Sequence, residues 1–226
     1  MSLPIVDEGI FVSADRWREL RGDPAFVELM RLARVANALS LFYPPILASL
    51  EDQSPRARRE RFAAMFYAAA LLHEGLHTAQ GLGRYFRDLP QYKDEFAAIF
   101  DDPVVRSYRS EVLDRIRDEL VFHVDRDALA AGIQQFPEGE TLIATFPEGD
   151  WSQGQVYFDL ADDAVLGYLF GHSATEAEFS ARVVELLERV TELFNRFMRA
   201  AHRLVPAALI HMGAYKKASE RPMPPE

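Results

Sequence analysis

His73, Glu74 and His77 stand in the order H-E-x-x-H. On a helix, residues four apart share a face. Both imidazoles can then hold one Zn²⁺ while the carboxylate between them polarises a metal-bound water. The run before them, Phe62 to Leu72, is almost wholly apolar or alanine. Burying polar side chains at such a point has a cost that a metal or a closed hydrogen-bond network offsets. The longer zinc motif adds a glycine and a third histidine, but the matching positions here are Gln80 and Gly83. A third ligand would have to come from Glu95, Glu111 or His123. Glu74-x-x-His77 also matches half of a di-iron bundle site, yet the second E-x-x-H is missing. The ordinary alternative is two histidines and a glutamate hydrogen-bonded at the polar edge of a bundle helix.

A second group of chemistry-bearing residues is Arg117-Asp118, followed by His123 after four more residues. This segment resembles the HEPN families. These are helical bundles marked by an arginine, commonly a polar neighbour, and a histidine four to six residues on. The resemblance extends loosely over Phe62 to Asp127. It implies metal-independent RNA cleavage at a cleft formed by two copies. In that role His123 is the acid/base that moves the 2′-hydroxyl proton. Arg117 clamps the scissile phosphate, and Asp118 orients one or the other. On an ideal helix Arg117 and His123 point about 120° apart. They converge only if the helix loosens near Phe122 or a second chain completes the site. The ordinary alternative is a core histidine and a surface arginine paired with Asp114.

Other chemistries find no support. There are no cysteines, which excludes disulfides, thiolate metal sites and a cysteine nucleophile. No glycine-rich phosphate loop follows a strand, and no G-x-S-x-G elbow occurs. His202 and His211 are nine residues apart, on opposite sides of a helix, so they form no local metal pair. Arg56, Arg58, Arg59 and Arg61 read as a solvated basic turn.

The elements that must position these groups are mostly helices. Ser13 and Asp23-Pro24 read as caps of two early helices, the second stopping near Pro44-Pro45. From Ser54-Pro55 to Leu89 no proline intervenes, which predicts one helix about 50 Å long carrying the H-E-x-x-H residues. A short helix covers Tyr92–Phe100. Asp102-Pro103 opens the next long one, with Val105, Tyr108, Val112, Ile116, Leu120 and Val124 on one face. Asp125 caps a short helix. Glu140–Phe146 and Gln155–Leu160 read as a β-hairpin, and a helix ending at Gly171 follows. Thr175-x-x-Glu178 is a capping box opening a last long helix. Its stripe Val183, Leu187, Val190, Phe194, Phe197, Ala201 and Leu204 is a packing seam, and Pro206 should kink or end it.

At 226 residues, 49% hydrophobic and 27% charged, the chain can build a core. The net charge of −10, from 25 basic and 35 acidic residues, argues against duplex DNA as a partner. No apolar run is long enough to span a membrane, and no leader pattern opens the sequence. The expectation is therefore a cytoplasmic, mainly α protein: one domain over 1–226, a long-helix bundle with a small β-hairpin insertion at about 140–160 and a disordered tail at about 216–226. It should be a homodimer, both from the seam of the last helix and from the HEPN-like resemblance, with RNA as the implied partner and no cofactor. The enzyme alternative is a zinc-dependent hydrolase on His73, Glu74 and His77. The non-enzymatic alternative is an oligomeric scaffold or partner-binding bundle.

Overall fold

The caps fall where the sequence places them. Ser13 accepts a hydrogen bond from the Arg16 amide at 3.2 Å and starts α1 (Ala14–Leu20). Asp23 accepts from the Ala25 amide at 2.7 Å, with Pro24 in the first turn of α2 (Pro24–Ser40). Proline is tolerated there because that N–H would have no intrahelical partner. The computed structural model describes residues 6–42, 44, 55–121, 125–135, 144, 159–171 and 176–220. The hairpin expected at about 140–160, apart from Ala144 and the two residues that open a helix, lies outside them, as do His123 and residues 221–226.

After α2 comes the 32-residue helix α3 (Pro55–Phe86), unbroken as expected. A wide π-helical stretch, Tyr92–Ala97, leads into α4 (Ala98–Asp101). The next rod begins as α5 (Pro103–Tyr108) and continues through two more π-helical stretches, Arg109–Leu113 and Ile116–Val121. Within the first of these, the Asp114 amide donates to the Arg109 carbonyl five residues back. Then follow α6 (Arg126–Ile133), capped by Asp125, and α7 (Asp159–Phe170), ending before Gly171 at φ 66°. The last helix, α8 (Glu176–His211), passes through Pro206 instead of stopping there. Leu204 and Ala208 are fully buried on either side of that proline, and this packing holds the turn that its missing N–H weakens.

The fold is thus mainly α with a small two-stranded β element, but the described strands lie elsewhere than at 140–160. β1 (Val6–Phe11) and β2 (Tyr215–Glu220) pair antiparallel, with Val6 opposite Glu220 and Phe11 opposite Tyr215. Residues 216–220 therefore form a strand where a disordered tail was expected. The chain is turned into β2 by Gly213 at φ 93°. Its amide donates to the Ile210 carbonyl, and the next amide, Ala214, donates to Leu209. This pair of bonds closes α8 and requires a left-handed residue between them. Polar composition hid the strand, because a polar ribbon needs a partner that is distant in sequence.

The chain forms two compact units. The first comprises Met1–Leu41, Glu74–Pro103 and Phe194–Glu226, the second Phe42–His73 and Val104–Leu193. Buried side chains of the first include Leu29, Leu32, Leu82, Phe96 and Phe197, with the Phe96 and Phe197 rings edge to face at 5.8 Å. Arg196 of α8 bonds Asp102 at 2.8 Å, and Arg199 and Arg203 hold both oxygens of Glu95. In the second unit Met65, Ala68, Leu72, Leu113 and Ile116 are buried. There α6 and α7 approach closely through glycines. A Cβ on Gly132 would come within 1.9 Å of the Ala164 carbonyl oxygen.

Candidate functional site

His73, Glu74 and His77 share helix α3, as expected, but their surroundings differ. His73 is half-buried, and its Nε2 lies 2.5 Å from Asp114 Oδ1 on the neighbouring rod. Glu74 is half-buried and His77 is exposed. Gly75, inside the motif, is buried under the Phe197 ring, and a Cβ there would come within 2.5 Å of Phe197 Cζ. Close ring packing therefore accounts for the glycine without any metal chemistry.

Of the acids able to add a third ligand, Glu95 has one oxygen at 3.0 Å from Arg199 Nε and the other at 2.5 Å from Arg203 Nη1. Glu111 accepts from the Ser107 hydroxyl at 2.9 Å. Among the described residues no three His, Asp or Glu side chains converge as a ligand set.

The second group lies on the π-helical stretch Ile116–Val121, where Arg117 contacts Asp118 directly. Arg117 is half-buried and Asp118 exposed. Asp114, expected as an ordinary partner for Arg117, faces His73 instead. The π-helical stretch carrying Arg117 is described as far as Val121. The side chain of His123 is outside the described residues.

Sequence reasoning missed the cluster that braces this stretch. The Arg115 guanidinium stacks 4.4 Å above the Tyr168 ring and donates to the Tyr168 carbonyl at 3.2 Å. The Tyr168 hydroxyl donates to Glu119 Oε2 at 2.6 Å, and Arg115 Nε lies 3.7 Å from the same oxygen. Arg115 and Glu119 are an i, i+4 pair, which sequence can suggest. Tyr168, about fifty residues away, gives no such signal. The cluster ties the π-helical stretch to α7 through cation–π, ionic and hydrogen-bond contacts.

One titrating group nearby is strongly perturbed. Tyr108 has its hydroxyl buried with no hydrogen-bond partner among the described residues. Burial pushes its pKa well above the usual tyrosine range, with Arg189 pulling it down and Glu185 pushing it up by smaller amounts.

No family model matches the chain, and comparisons with curated proteins and with solved structures yield no significant match. The described helices include none long and apolar enough to cross a membrane.

Proposed function

We propose that this chain is a cytoplasmic HEPN-like bundle protein that acts on RNA without a metal, with Arg117, Asp118 and His123 as its site. The observation that carries the reading is the Arg117–Asp118 pair on a π-helical turn, braced by Arg115, Glu119 and Tyr168. Wide turns of this kind cost helix stability and recur at functional sites. Asp118 holds the guanidinium until a phosphate competes for it. Arg117 then grips the phosphodiester in a bidentate clamp and offsets its growing charge. His123 takes the proton as the 2′-oxygen bonds to phosphorus. The P–O5′ bond breaks, and the protonated histidine returns its proton to the leaving oxygen.

Incubation with single-stranded RNA in EDTA should give fragments ending in a 2′,3′-cyclic phosphate. His123→Ala should abolish them, and Arg117→Ala should slow cleavage by about 100-fold. Equal action of the wild type and His123→Ala on RNA would overturn the assignment. The zinc alternative has less support, because a metal at His73 Nε2 must first displace Asp114.

A further inference from the structure

The first unit holds a groove of about 600 Å³ lined by α1, α2 and the Glu74–Thr78 turn of α3. Its apolar wall includes Trp17, Phe26, Met30 and Val35. Trp17 stands edge-on to Phe26, with centroids 5.8 Å apart and planes at 86°, yet is 48% exposed. Val27 on the same lining is also 48% exposed. Exposed apolar side chains grouped in a concavity indicate a binding site more than scattered ones do.

The charge on the lining is selective. Arg21, Arg31 and Arg34 are present against one acid, Glu74. Arg31 is held by both oxygens of Glu28, at 3.0 and 2.8 Å. Glu74 is engaged by a neighbour as well. Among the described residues Arg21 and Arg34 make no ion pair. Two guanidinium groups without an ion pair thus stand beside the apolar wall. Their complement is a single anionic head on an apolar body.

Size decides between a small molecule and a macromolecule. The volume lies within the range of small-ligand pockets, about 300–1,000 Å³. Ten residues line the groove, whereas a stable protein interface uses about 20–30 on each side. We infer that the groove binds a small amphiphilic carboxylate, its apolar part against Trp17, Phe26 and Met30 and its head at Arg21 and Arg34. This site is independent of Arg117 and His123 and of the RNA reading.

The test uses the full chain carrying Trp151→Phe, so that Trp17 alone reports by fluorescence, with calorimetry as a second readout. Decanoate should bind saturably and change Trp17 emission. The double variant Arg21→Ala/Arg34→Ala should bind it about ten-fold more weakly, while binding of decanol, which lacks the charge, stays the same. Val27→Glu, at an exposed position, should weaken decanoate more than decanol. The proposal is overturned if decanoate fails to saturate, or if decanoate and decanol bind alike and the arginine variant changes neither. Binding of an acidic helical peptide without binding of decanoate overturns it as well.

Discussion

His73 presents its Nε2 to Asp114, so any metal competing for that nitrogen meets a carboxylate already in place. The same scale explains why H-E-x-x-H is a weak signal by itself. Its glycine is set by the Phe197 ring, its second histidine is exposed, and Glu95 is occupied by two arginines. Tyr108 offers a residue-scale prediction. Burial holds its phenol neutral, so the folded chain releases that proton at higher pH than the unfolded chain. As pH rises past about 10 the unfolded chain ionises first, and stability falls from there upward. Tyr108→Phe should remove this share of the alkaline loss. It should also gain about 1 kcal/mol at neutral pH, because an unpartnered buried hydroxyl is gone. Urea midpoints at pH 7 and pH 11 measure both effects. A variant that loses stability at pH 7 would show that the hydroxyl has a partner.

At the scale of elements, glycines on different helices should respond in opposite directions. Gly132 lies against the backbone of Ala164, and a methyl there has no flexible neighbour to push aside. Gly132→Ala should cost about 3 kcal/mol through forced separation of α6 and α7. Gly81, near the end of α3, has nothing within 4 Å of a would-be Cβ. Gly81→Ala should instead gain about 0.5–1 kcal/mol from helix propensity. Thermal or urea unfolding of both variants checks the pair, and a neutral Gly132→Ala would count against the close approach. The rod from Pro103 to Val121 shows where reading by period stops working. A stripe drawn at 3.6 residues per turn predicts Val112 on the core face, but Leu113 is the fully buried side chain. Two π-helical stretches widen the turns and shift the phase, and a fixed period carries no sign of them.

At the scale of the whole molecule, the packing of α8 changes the basis of one expectation. Val190, Phe194, Phe197, Ala201 and Leu204 of its seam are at most 4% exposed within the single chain. That stretch of the seam is used internally and leaves no open face for a second copy. Dimerisation therefore rests on the HEPN-like reading, in which two copies frame the cleft. Light scattering should give twice the 25.7 kDa chain mass at micromolar concentration, and a strictly monomeric chain would remove the composite cleft.

Local chemistry was enough to place much of the architecture. Ser13, Asp23-Pro24 and Asp125 cap helices because the sequence near each cap supplies both donor and acceptor. Gly171 ends α7 for an equally local reason, its left-handed backbone. The proline-free stretch after Pro55 was legible as one helix on the same grounds. What only the tertiary structure decided depends on partners distant along the chain. The pairing of β1 with β2 is one case, Asp114 at His73 is another, and Tyr168 against Arg115 and Glu119 is a third. Propensity and periodicity describe a residue's near neighbours, whereas a polar side chain takes its role from whatever packing brings within about 3 Å.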